Sequence, residues 1–170
     1  MKIILPIIFI FILSSSGLKA NNSLDLLTLY KQLHSYPELS FKEEKTSKKL
    51  ADIMKILGFE VTENFGGYGV VALLKNGEGK TVMLRADMDG LPVKELTGAS
   101  YASKTKSLNQ VGDEVFTMHA CGHDIHMTSL MGTAINLMKR KDEWRGNLII
   151  LFQPAEEVGS GARNIIKAGI

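Results

Sequence analysis

The sequence predicts an α/β fold in which a layered mixed or parallel sheet is flanked by helices. Helix-like and strand-like segments alternate along the 170 residues, which is typical of layered α/β domains. Two short runs, TVMLR (81–85) and NLIILF (147–152), are mostly apolar, as strands buried on both faces are. Apolar residues make up 45% of the chain and charged residues 22%, so a core can form, and disordered, collagen-like and coiled-coil classes are excluded.

The elements follow from hydrophobic periodicity and from residues that start or stop helices. In chain order they are a helix at about 22–34, a helix at 40–57, strands at 60–63, 68–75 and 81–85, a helix at 122–139, a strand at 147–152 and a helix at about 159–170.

Helix starts and stops are marked by particular side chains. Asn22 or Ser23 can cap the first helix, and Pro37 interrupts it. Ser40 stands three residues before Glu43, the spacing of a capping box, and this predicts the start of the second helix.

Turn residues separate the later elements. The run NGEG (76–79) predicts a turn between two strands, and the apolar segment 81–85 predicts a buried strand. Residues 88–117 are mostly polar or small and predict a loop, after which a helix starts near Gly122. The last strand, 147–152, is again of the buried kind.

The first twenty residues have the layout of a secretory signal peptide. Lys2 precedes an apolar run at 3–13, and small or polar residues follow up to Ala20. The apolar run is too short to span a bilayer comfortably, although an uncleaved membrane anchor stays an alternative. Residues 1–20 are therefore predicted to direct export to the periplasm or the medium, and no stable membrane span is expected after processing.

The charge balance excludes some partners. The first twenty residues hold two lysines and no acid, so the remainder carries 18 basic and 18 acidic side chains and a net charge of zero. No basic patch suits nucleic acid or anionic lipid, and neither is an expected partner.

The segment MHACGHDIHM (118–127) holds three of the four histidines and the single cysteine. Cys121 and His123 stand two apart and can both reach one metal ion; a thiolate with an imidazole suits zinc, with cobalt possible. Two ligands are too few for a site. The adjacent acids Glu156 and Glu157, after the last strand, are the obvious source of a third.

The acidic pairs predict a division of labour. Of Glu156 and Glu157, one can bind metal while the other acts as a general base towards the substrate. Asp87 and Asp89, after the strand 81–85, can orient a ligand histidine through its second ring nitrogen. Taken singly, all four acids are also compatible with turn, cap or solvated positions.

Other interpretations stay open for the sulfur and the rings. Cys121 is also compatible with a small buried residue, or with a thiol nucleophile that uses His123 as its base. His119 and His126 are expected to form hydrogen bonds within the loop or helix, and His34, before a proline turn, is expected to be structural.

Four stretches resemble, in order and spacing, one known family. They are HSYPELSFKEEKTSKKL (34–50), LRADMDGLPVKE (84–95), MHACGHDIHMTSLMGTA (118–134) and LIILFQPAEEVGSGARNII (148–166). Together they resemble the amidohydrolase branch of the co-catalytic metallopeptidases, which includes hippurate hydrolase, N-acyl-amino-acid amidohydrolase and indoleacetyl-amino-acid hydrolases. The resemblance covers nearly all of residues 24–170 and is highly specific in HACGHD and FQPAEE.

The resemblance implies a phosphorylase/hydrolase-like metallopeptidase catalytic domain that hydrolyses the amide bond of N-acyl amino acids with two divalent metal ions, zinc, manganese or cobalt. It implies that Cys121, His123 and Glu157 are metal ligands. Glu156 falls on the general acid/base position. Asp89 falls where the family keeps a catalytic-site aspartate that supports a ligand histidine.

Family members are more than twice as long as this chain and carry an inserted lid and dimerisation domain. Residues 21–170 are therefore expected to be the N-terminal part of the catalytic domain, truncated and without the lid; a homodimer is expected only with the lid present. Two alternatives remain: an exported metal-binding fragment without catalysis, and a dipeptidase-like or carboxypeptidase-like metallopeptidase acting on short peptides.

Overall fold

The computed structural model of the chain describes residues 24–170. The predicted signal peptide at 1–20 lies outside the described residues. Within them, no helix combines the length and apolar character that a bilayer crossing requires.

The predicted helices and strands occur in the predicted order, with three additions: two short strands and a 3-10 helix. The helices are α1 (Leu26–Ser35), α2 (Glu44–Ile56), α3 (His123–Lys139) and α4 (Gly161–Ala168), with a short 3-10 helix at Lys141–Glu143. The strands are β1 (Glu60–Phe65), β2 (Gly69–Asn76), β3 (Thr81–Asp87), β4 (Lys106–Leu108), β5 (Glu114–Phe116) and β6 (Gly146–Gln153). The predicted α/β class with a mixed sheet is confirmed.

The main sheet has four strands in the order β1-β2-β6-β3. β1 and β2 are antiparallel, β2 and β6 are antiparallel, and β6 runs parallel to β3. Because β3 and β6 are parallel neighbours, the loops that follow their carboxyl ends leave the sheet at the same edge.

Three helices cover one face of this sheet. Alternate residues of β2 pair directly with alternate residues of β6, for example Val70 with Phe152 and Ala72 with Ile150, and all four side chains are buried. They join one apolar cluster with α1, α2 and α3, whose buried members include Leu29, Leu33, Leu50, Met54, Met127 and Met131. The site-bearing loops are thus anchored on a packed core.

Two sequence predictions about the strands need correction. The strand 81–85 was expected to be buried, but within residues 24–170 β3 pairs only with β6, and Val82 and Met83 are 54% and 48% exposed. An apolar run does not reveal whether a strand is central or at an edge, because its partners are set by the rest of the chain. The loop 88–117 also contains the hairpin β4–β5.

The starts of the first two helices were predicted wrongly in detail, whereas the third helix starts next to Gly122 as predicted. The first helix is capped by Asp25, whose Oδ1 accepts a hydrogen bond from the Leu27 amide at 3.1 Å. No capping box opens α2, since Glu43 makes no side-chain cap bond. Instead the carboxylate of Glu38 accepts hydrogen bonds from the amides of Lys45 (3.2 Å) and Thr46 (2.7 Å).

Substitution of Leu50 by alanine is expected to destabilise the fold, because this α2 side chain is fully buried in the core. The loss should be about 2–5 kcal/mol in the free energy of unfolding, measured by urea denaturation. The control is Ile56→Ala on the same helix, where the side chain is 84% exposed, and the expected change is within about 0.5 kcal/mol. Equal losses for the two variants would contradict the described core.

Candidate metal centre

Three loops meet at the edge where β3 and β6 end. Asp89 follows β3, Glu156 and Glu157 follow β6, and Cys121 directly precedes the first turn of α3 with His123. Gly122, between the cysteine and the histidine, has a φ of +85°, in the left-handed region that glycine adopts without strain. The turn at Gly122 allows the side chains of Cys121 and His123 to lie close together.

One sulfur, one imidazole nitrogen and one carboxylate oxygen lie together at this edge. The candidate ligand atoms of Cys121, His123 and Glu157 are all within 4.8 Å of one another. The Oε1 atom of Glu157 is buried and has no hydrogen-bond partner among the described residues. A buried carboxylate oxygen without a donor is costly unless a cation satisfies it, so the donor set fits a zinc-like ion. The roles of these three residues as ligands stay predictions.

The ring of His123 is held in the orientation that a ligand needs. Its Nδ1 donates to the backbone carbonyl of Asp89 at 2.7 Å, and the ring is 2% exposed. A carbonyl only accepts hydrogen bonds, so Nδ1 carries a hydrogen and Nε2 is left for a cation. Nε2 lies 3.6 Å from Oε2 of Glu156 and 3.9 Å from Oε1 of Glu157.

Negative charge surrounds this ring. Burial lowers the pKa of His123, but the hydrogen bonds and charge of Asp89, together with the charge of Asp87, outweigh it and raise the pKa to about 9. In the absence of a cation the imidazole is therefore protonated near neutral pH. A metal ion would have to replace that proton.

Asp89 connects the loops to one another. Its carboxylate is 1% exposed and accepts hydrogen bonds from Ser40 Oγ (2.6 Å) and from the backbone amides of Glu156 (3.1 Å) and Glu157 (3.0 Å). Burial raises its pKa, but the His123 ring, whose Nδ1 lies 3.5 Å from Oδ1, and the hydrogen bonds from Ser40 and the two amides dominate and hold the pKa below the usual range. Asp89 therefore stays ionised and positions the acidic pair.

The two adjacent glutamates differ in exposure. The Glu156 side chain is 41% exposed, whereas that of Glu157 is 18% exposed. The more buried carboxylate, that of Glu157, groups with the sulfur and the imidazole, although an oxygen of Glu156 lies slightly nearer the imidazole nitrogen. This asymmetry matches the division of labour expected from the sequence, and Glu156 as general acid/base stays a prediction.

The environment of Cys121 argues against a thiol nucleophile. The residue is exposed, so the interpretation as a small buried residue was wrong. Local desolvation still raises the pKa of this thiol, and so do the charges of Glu157, Glu156 and Asp87. Reactive cysteines have a lowered pKa beside positive groups. A bound cation is what would favour the thiolate here.

Sequence reasoning missed a second group of donors. Asp87 Oδ2 lies 4.0 Å from His123 Nε2 and 4.0 Å from His126 Nδ1, and the three residues form another candidate cluster. The spacing of His123 and His126 could have indicated this cluster, because residues three apart share a helix face. Both clusters use the same nitrogen of His123, which can bind only one ion at a time. Arg85 also pairs with Asp87.

His34 and His119 belong to neither candidate metal cluster of the described residues. His34 bridges two buried acids, with Nδ1 at 2.6 Å from Asp124 and Nε2 at 3.0 Å from Glu95, in keeping with its expected structural role. His119 was expected to form hydrogen bonds, but neither of its ring nitrogens has a partner among residues 24–170. Its burial lowers the pKa to about 4, so the ring is neutral.

Known proteins resemble this chain in sequence and in structure. A family model described as peptidase family M20/M25/M40 matches residues 83–170. The chain is 44% identical to thermostable carboxypeptidase 1 of Saccharolobus solfataricus over 149 residues, covering 85% of this chain and 36% of the relative. It is also 44% identical to hippurate hydrolase of Campylobacter jejuni over 140 residues, covering 82% of this chain and 34% of the relative.

A solved structure of the same family also resembles the chain. The Bacillus subtilis YXEP protein, described as a dinuclear metal binding peptidase from the M20 family, superposes with a TM-score of 0.75 at 38% identity. The alignment covers 85% of this chain and 38% of that one. The chain thus spans little more than a third of the length of its relatives. The predicted family is confirmed, and the chain belongs to peptidase family M20/M25/M40.

Proposed function

We propose that this chain forms the metal-binding part of an enzyme that hydrolyses the amide bond of N-acyl amino acids, with two divalent ions of zinc, manganese or cobalt. The observation that carries the proposal is the meeting of Cys121, His123 and Glu157 within 4.8 Å. Two relatives support it: one is named hippurate hydrolase, and a solved neighbour is described as dinuclear metal binding.

The side chains around the centre have distinct tasks in this proposal. A bound cation supplies polarisation of the amide carbonyl. Glu156, whose Oε2 lies 3.6 Å from His123 Nε2, takes the proton of the attacking water and passes it to the leaving nitrogen. Asp89 stays ionised and holds His123 and the acidic pair in place.

A neighbouring cavity supports an apolar acyl group. It has a volume of about 380 Å³ and borders both Glu157 and Ser40. An apolar cavity of ~150 Å³ holds a benzene ring, so the volume is sufficient for a benzoyl group. The apolar lining residues are Leu39, Leu91, Pro92, Leu108, Val111 and Val158.

A carboxypeptidase-like or dipeptidase-like activity on short peptides is the second candidate, favoured by the thermostable carboxypeptidase relative. A metal-binding fragment without catalysis is the third.

We also propose export, on the basis of the signal peptide predicted at 1–20; an unprocessed protein retained in the cytoplasm of the producing cell would contradict this.

Metal binding should depend on the sulfur and on the buried carboxylate. Titration of the chain with Co²⁺ is expected to produce a thiolate-to-cobalt absorption band, which Cys121→Ser abolishes. Glu157→Gln should weaken Co²⁺ affinity by at least the ~10–100-fold that loss of a supporting residue costs. The control is Glu78→Gln, an exposed acid between β2 and β3, which should leave affinity unchanged. A band that persists in Cys121→Ser would overturn the ligand assignment.

Hydrolysis should depend on Glu156. With Co²⁺ or Zn²⁺ bound, Glu156→Gln is expected to retain metal affinity but to lower glycine release from benzoylglycine by ~10²–10⁴-fold, because no group then moves the proton. Glu78→Gln serves again as the control. Wild-type turnover in Glu156→Gln would refute its role.

The same assay separates the candidate functions. Cleavage of a dipeptide without cleavage of benzoylglycine favours the peptidase. Metal binding with neither reaction favours the fragment without catalysis.

A further inference from the structure

The side chain of Glu43 does not cap the helix that follows it. Glu43 precedes α2 and makes no side-chain cap bond, because Glu38 accepts the amides at that end. Yet the side chain is fully buried, and burial raises its pKa to about 7, with the charge of Asp89 adding to the increase. A carboxylate this costly to bury is expected to have a function elsewhere in the fold.

The Glu43 side chain contacts a residue that lies 112 positions further along the chain. Glu43 Oε1 accepts a hydrogen bond from the backbone amide of Ala155 at 2.7 Å. Ala155 is fully buried and has a φ of +50°, a left-handed conformation that a residue with a Cβ adopts only when its surroundings enforce it. Its carbonyl accepts hydrogen bonds from the amides of Ser160 (3.3 Å) and Gly161 (3.0 Å).

Three consecutive amides of this turn are held by two buried carboxylates. Glu43 accepts from residue 155, and Asp89 accepts from Glu156 at 3.1 Å and from Glu157 at 3.0 Å. The turn is also tightly packed, since a Cβ added at Gly161 would lie 1.6 Å from the carbonyl oxygen of Pro154. The direction in which the two glutamate side chains leave the backbone is set by these contacts.

We propose that Glu43 is a positioning residue of the metal centre: by holding the Ala155 amide it keeps the left-handed turn that aims Glu157 at Cys121 and His123. The proposal rests on the proposed function only in its second half, the effect on metal binding. Its first half concerns the turn and holds in the metal-free protein.

The first test measures the turn itself. Amide hydrogen exchange of residues 155–157 is followed by NMR in metal-free wild type, Glu43→Ala, Glu43→Gln and the control Glu44→Ala, whose side chain is the exposed neighbour in α2. Glu43→Ala should speed exchange at all three amides. Glu43→Gln keeps an acceptor oxygen and should restore protection, and Glu44→Ala should match wild type. Wild-type protection in Glu43→Ala would overturn the proposal, whether or not metal binds.

The second test measures the centre. Glu43→Ala should weaken Co²⁺ affinity by ~10–100-fold and alter the Co²⁺ absorption spectrum, whereas Glu43→Gln should recover both. Leu50→Ala weakens the core but leaves the Glu43 carboxylate and the Ala155 amide in place, so it separates positioning from general loss of stability and should bind Co²⁺ like wild type. An unchanged spectrum and affinity in Glu43→Ala, or equal losses in Glu43→Ala and Leu50→Ala, would overturn the proposal. Absence of Co²⁺ binding by wild type would refute the proposed function instead.

Discussion

The geometry of the site depends on the buried, ionised carboxylate of Asp89. It accepts hydrogen bonds from Ser40 and from the amides of Glu156 and Glu157, and the carbonyl of the same residue holds the ring of His123. A buried charge is tolerated only when several donors replace water. The segments that supply the donors to Asp89, at Ser40, at 156–157 and at the start of α3, are therefore held together around one residue.

The charges around His123 explain why the centre is suited to a cation. Three carboxylates, from Asp87, Glu156 and Glu157, lie within 4.0 Å of its Nε2. Desolvation raises the pKa of the Cys121 thiol and the same acids add to the increase, so the thiolate is unfavourable until a cation binds. These donor groups repel one another while no cation is bound, and together they attract a divalent ion. The ligands of a metal site have this property.

Much of the fold and of the candidate site could be predicted from the sequence. The alternation of elements, the acidic pairs after two strands and the segment 118–127 all carry local patterns that need no partner to be recognised. Ser40 and Glu43 were misinterpreted for the same reason, because their spacing fits a capping box. In the structure their side chains serve Asp89 and Ala155 instead.

The sequence by itself determined which residue types stand at the strand ends and at the start of α3, and hence which donors are available. Only the tertiary structure decided that β3 lies at an edge of the described sheet, that Glu157 is more buried than Glu156, and that Glu43 contacts Ala155. The physical reason is that hydrophobic periodicity acts over a few residues, whereas strand order and burial are set by contacts between segments far apart in the chain.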